Sequence, residues 1–228
     1  MSRKQLMILG LGAAAVIVSA VAYVEFFGEP ATTAETRSSP RDVSITPSDM
    51  TLGSAKAPVK VIEYGAPSCP VCARFEMDNF DQLKRAYIDT GKVYFVFRVF
   101  PINGAADGAA EGLARCAGQT SSVGYFHFID LLFRNQKDWD PEFGPPNGVH
   151  AGLLKLARIA GIEGEADTCM GDRANAERVN QTAKDAVEHY NINATPTLVI
   201  NGVVQQPGYI EWPALKSMLD AFVAKAHA

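Results

Sequence analysis

Residues 64–75 read Tyr-Gly-Ala-Pro-Ser-Cys-Pro-Val-Cys-Ala-Arg-Phe (YGAPSCPVCARF), with two cysteines three positions apart behind an apolar run. Just upstream, residues 59–64 are β-branched and aromatic and are bounded by Pro58 and Gly65, the pattern of a buried strand. Ala66, Pro67 and Ser68 make a turn, and from Pro70 the periodicity becomes helical. Phe75, Met77, Phe80, Leu83, Ala86 and Tyr87 fall largely on one helical face, and Gly91 ends the segment. Residues 93–100 then form a second strong strand, closed by Pro101. Strand, helix and strand in that order make a βαβ unit, and a C-x-x-C pair beside such a unit reads as a redox motif.

Further along, four segments look helical: 105–117, 123–135, 151–162 and 173–190. No strand is expected among them, and Gly104, Gly108 and Gly112 at fourth positions suggest close helix packing. Trp139, beside Pro141 and the Pro145–Pro146 pair, reads as a cap on this block, and His127 as a packed residue among aromatics. β character returns at 197–200 and 203–205, separated by Asn201-Gly202, a strong short-range hairpin signal. A last helix over 212–226 turns Leu215, Met218, Leu219 and Phe222 inward. The plan is βαβ, a helical block, then ββα: a helical domain inserted into a small α/β domain.

Ahead of all this, Arg3 and Lys4 precede an uncharged apolar run over residues 6–24. Residues 1–27 therefore read as an N-terminal membrane anchor or a signal peptide, with Val18-Ser19-Ala20 as a candidate cleavage site. Residues 28–47, rich in Thr, Ser, Pro and Ala, read as a flexible linker. Either reading of the first segment exports everything after it. With 228 residues, 47% hydrophobic and 20% charged, the chain has material for one core plus an insertion. A formal net charge of −4 and no basic block argue against nucleic acid as a partner.

Exported cysteines meet oxidising conditions. Cys69 falls at the start of a helix, where unpaired N–H groups and the macrodipole favour negative charge and so a thiolate. Lowering a thiol pKa by about three units is worth roughly 4 kcal/mol between the two protonation states. Pro70 suits the first turn, where its missing N–H is no loss, and Cys72, one turn in, is the more buried, resolving thiol. A zinc site would need two further ligands. Cys116 and Cys169 are singletons, and the four histidines show no metal-ligand spacing, so no metal is expected. In an oxidising compartment Cys116 and Cys169 are expected to pair as a structural disulfide, with two free buried thiols as the alternative.

The ordered set EYGAPSCPVC (63–72), a helical block and ATPTLVING (194–202) resembles the DsbA family of bacterial thiol:disulfide oxidoreductases, from about Asp49 to the C-terminus. The resemblance implies a thioredoxin fold with an inserted helical domain. Here the thioredoxin-like domain would comprise 48–101 and 191–228, and the insertion 102–190. It implies a cis Pro196 packed on the cysteine pair, with Thr195 offering its backbone to an extended substrate. It also implies that Glu63 lies buried beneath the pair and helps move the Cys72 proton, the alternative being a solvated glutamate. The best-known members have histidine where Val71 stands, so the active-site dipeptide Pro70-Val71 predicts a higher Cys69 pKa and a less oxidising pair.

The function so implied is a periplasmic oxidoreductase that introduces disulfide bonds into secreted or periplasmic proteins. It would be tethered to the inner membrane by its N-terminal helix, or soluble after cleavage. Its partners would be unfolded or reduced exported proteins and a DsbB-like membrane reoxidase. It would need no cofactor beyond the Cys69–Cys72 disulfide. Threonine before the cis-proline also occurs in reductase and isomerase branches, so those activities stay open. A non-enzymatic periplasmic binding or metal-handling protein is the alternative from another class.

Overall fold

The computed structural model of the protein describes residues 45–226. The anchor or signal segment at 1–27 and all but the last three residues of the linker at 28–47 lie outside the described residues. Among the described residues no helix is long and apolar enough to cross a membrane.

Five strands make one sheet: β1 (Met50–Leu52), β2 (Val59–Gly65), β3 (Val93–Val99), β4 (Thr197–Ile200) and β5 (Val203–Val204), in the spatial order β1-β3-β2-β4-β5. β2 and β3 are parallel, from Val59 opposite Val93 to Gly65 opposite Val99. The other pairs are antiparallel. β1 was not apparent in the sequence, because three residues are too short to establish an alternation. In the β4–β5 hairpin Asn201 and Gly202 both have positive φ, 46° and 78°, the backbone that a two-residue turn demands. The Asn201 side chain accepts the Lys60 N–H at 2.7 Å, tying that turn to β2.

The helical run over residues 70–88, α1, joins β2 to β3. It is α-helical over Pro70–Phe75 and Asp81–Leu83 and π-helical over Glu76–Phe80 and Lys84–Ile88. A π turn takes up more residues per turn and shifts the faces. That is why Met77, expected inside, is 48% exposed, whereas Phe75, Leu83 and Tyr87 are buried and Glu76 is buried with them. Both faces of β2 are covered. Val59 and Val61 pack with α1 and with Leu215 and Leu219 of α8 (Trp212–Ala226). Ile62 and Tyr64 pack on the other side with Val96, Val199, Ala186 and Ile192. Double burial is also why the segment shows no clean polar alternation.

Between β3 and β4 the chain is helical: α2 (Ala105–Ala117), α3 (Ser122–Arg134), α4 (Gln136–Trp139), α5 (Gly148–Ile159), α6 (Ala166–Met170) and α7 (Arg173–Tyr190). α2 and α7 have the expected limits; α5 begins earlier and stops sooner, and the short α4 and α6 carried no readable periodicity. Of the three spaced glycines only Gly112 makes a close approach, since a Cβ there would sit 2.1 Å from the Cys169 carbonyl oxygen. Trp139 is no surface cap: it is fully buried and donates its indole N–H to the Leu132 carbonyl at 3.0 Å. His127 faces outward from α3 instead of packing among its aromatic neighbours. α7 serves both regions, with Val179 in the main core and Ala186 against the second face of the sheet.

Candidate active site

Cys69 is the N-cap of α1, with extended backbone at φ −78° and ψ 116°, and Pro70 follows in the first turn. The Cys69 sulfur accepts the Cys72 backbone N–H at 3.3 Å. This is the capping bond that serine or aspartate usually makes, here made by sulfur. On its other side the same sulfur lies 3.7 Å from the Thr195 carbonyl oxygen, to which the thiol donates. The Thr195–Pro196 peptide is cis, and Pro196 is buried. Cys69 and Cys72 both carry free thiols; Cys69 is 4% exposed and Cys72 is fully enclosed. Val71, between them, is 41% exposed, so the apolar surface beside the reactive sulfur faces solvent.

The two thiols are electrostatically unlike. The Cys72 thiol, hydrogen-bonding the Cys69 sulfur, is the largest influence holding the Cys69 pKa down, to about 6. Burial opposes it, while the Thr195 side chain and the backbone N–H groups of Cys72 and Val71 add to it. Burial, and next the proton shared with Cys69, push Cys72 well above the ordinary thiol range. One sulfur is therefore a thiolate near neutrality and the other keeps its proton, the asymmetry that thiol–disulfide exchange requires.

Glu63 lies on β2 opposite Phe97 and Leu198 and is fully buried. Neither carboxylate oxygen has a hydrogen-bond partner among the described residues. Burial, reinforced by the charge on Cys69, lifts its pKa to about 8. Gly65 makes room for it, since a Cβ there would come 3.2 Å from Glu63 Oε1 and 2.8 Å from the Phe97 ring. A second buried carboxyl, Glu76, is raised by burial and by the charge of Glu63. Nothing in the sequence singled it out, because the π turn that brings it inward left no pattern.

Cys116 and Cys169 are not part of this site. They join α2 to α6 in a disulfide with a Cα–Cα distance of 6.1 Å, within the usual range. Cys116, Glu165 and Cys169 are the one grouping of potential metal ligands among the described residues, and both of its sulfurs are bonded to each other. The structure thus brings Cys69, Pro70, Val71, Cys72, Thr195, Pro196 and Glu63 to one end of the sheet.

A family model described as Thioredoxin matches residues 45–221. A protein of Rickettsia bellii, provisionally named a protein-disulfide oxidoreductase, is 31% identical over 160 residues, covering 70% of this chain and 59% of the relative. The chain thus spans little more than half the length of that relative. Disulfide bond formation protein D of Bacillus subtilis is 28% identical over 171 residues, covering 74% of each chain. Among solved structures, Wolbachia pipientis α-DsbA1 superposes with a TM-score of 0.72 at 26% identity, covering 81% of this chain and 95% of that one.

Proposed function

The chain belongs to the thioredoxin family, in its DsbA-like branch, and from that premise we propose that it is an exported thiol:disulfide oxidoreductase that introduces disulfide bonds into other exported proteins. The observation that carries this reading is the Cys69 sulfur. It is held as a helix N-cap, with the Cys72 backbone N–H on one side and the Thr195 carbonyl on the other.

In the oxidised enzyme a client thiolate attacks Cys69 Sγ; the Cys69–Cys72 bond breaks and Cys72 leaves, taking up a proton. Glu63, buried and raised to about 8, is the group that supplies it. A second client thiolate then attacks the client sulfur of the mixed disulfide and expels Cys69. Two electrons pass to the enzyme and the client gains a disulfide. A sulfur whose pKa is held near 6 departs readily as thiolate, which favours this direction. The Thr195 backbone beside Pro196 is the edge on which an extended client segment would lie. A DsbB-like membrane protein would take the electrons away, and the segment at 1–27 would export the protein to the periplasm or hold it at the membrane.

Trapping tests the reading. A Cys72→Ser variant should accumulate a mixed disulfide through Cys69 when given a disulfide-bonded peptide, the Cys69 thiolate displacing one peptide thiolate, and Cys69→Ser should accumulate none. Equal or absent trapping in both would remove the proposed role. The reduction potential fixes the direction: a value nearer about −120 mV than −270 mV identifies an oxidase, and the converse a reductase.

A further inference from the structure

The turn that leads into the cysteines closes with the Cys69 N–H donating to the Ala66 carbonyl at 2.9 Å. Pro67 and Ser68 are therefore its central residues, and the peptide between them is its middle unit. Rotation of that unit is what interconverts turn types. Both of its polar atoms are held by side chains of the helical insertion. Gln136 Nε2, from the first residue of α4, donates to the Pro67 carbonyl at 2.8 Å. Asp107 Oδ1, from the first turn of α2, accepts the Ser68 N–H at 2.9 Å. Asp107 is fully buried and Gln136 nearly so.

Helix capping does not account for this. An acidic residue at the third helical position ordinarily reaches back to its own N-cap. Asp107 instead gives Oδ2 to the N–H groups of Ile102 and Asn103, at 2.9 and 2.8 Å, and reserves Oδ1 for a residue 39 positions earlier. A buried carboxylate with three N–H donors is well satisfied and geometrically rigid. The Gln136 side-chain bond likewise crosses 69 positions to reach the turn.

We propose that Asp107 and Gln136 are positioning residues that lock the Pro67–Ser68 peptide, so that Cys69 enters α1 in the one orientation from which its sulfur meets the Cys72 N–H. The helical insertion thereby sets the reactivity of a sulfur that belongs to the α/β domain. This rests on the reading of Cys69 as the sulfur that exchanges with clients. Among the described residues neither side chain hydrogen-bonds Cys72 or Glu63, the titratable groups that face Cys69.

Ultraviolet titration of the Cys69 thiolate in the reduced protein tests the clamp. Gln136→Met and Asp107→Asn should each lower the thiolate fraction at pH 6 about two- to five-fold, a rise of half to one pKa unit. Because both hold one peptide, the double variant should fall short of the summed effect. Leu153→Val, a core change in α5, should lower Tm and leave the titration in place. Variants that lose Tm as Leu153→Val does while Cys69 titrates as in the parent would overturn the clamp, and so would fully additive effects. If Asp107→Asn fails to fold, Gln136→Met, which removes one neutral donor, decides alone. A Cys72→Ser variant that traps no peptide while the titration still moves would defeat the oxidoreductase reading and leave the clamp standing.

Discussion

Val71 leaves the Cys69 thiolate without the nearby cation that an imidazole would provide, so its stabilisation comes first from the Cys72 thiol, then from the Thr195 side chain and then from the backbone N–H groups of Cys72 and Val71. Val71→His should lower the Cys69 pKa further and raise the reduction potential, by about 30 mV for each tenfold gain in the exchange equilibrium. Equilibration with a glutathione buffer measures this, and an unchanged potential would contradict it. Glu63 makes the opposite case. Its folded pKa lies above the unfolded value, so its contribution is fully present at low pH and is lost as pH rises through about 8. Glu63→Gln should therefore raise Tm more at pH 8 than at pH 5, while slowing the step that protonates Cys72. Thermal melts and stopped-flow oxidation read the two effects separately. The cysteine pair and the Thr195-Pro196 element were legible because their chemistry is local in sequence. Asp107, Gln136 and Glu76 were not, because each acts on a residue or charge that only tertiary structure brings near.

At the scale of elements, legibility followed length. β2, β3, α2, α7 and α8 emerged within a residue or so of their limits because each carries several turns or alternations. β1, α4 and α6, at three to five residues, offered too few positions for any period to register. The π turns of α1 misled the helical-face assignment at Met77 and concealed Glu76. The α2–α6 contact is a tight junction. Gly112→Ala would place a Cβ 2.1 Å from the Cys169 carbonyl, against backbone that cannot swing aside. We expect a loss of about 1–3 kcal/mol by denaturant unfolding, whereas Gly108→Ala, with open space above it, should be neutral or slightly stabilising.

For the whole molecule, the Cys116–Cys169 bond closes a separation of 53 residues, worth about 4 kcal/mol in the chain-entropy model. Denaturant curves of a Cys116→Ala/Cys169→Ala variant should register a loss of about that size, and a midpoint equal to the parent's would deny the bond a structural role. The sheet joins distant parts of the chain: Tyr64 of β2 lies opposite Thr197 of β4. A ribosome finishes Cys72 long before it reaches Pro196, and Cys116 and Cys169 emerge in the interval. During synthesis the reactive thiols stand uncapped while the chain's own remaining cysteines pass by. Correct sulfur partnering in each newborn copy therefore depends on β4 arriving to close the sheet.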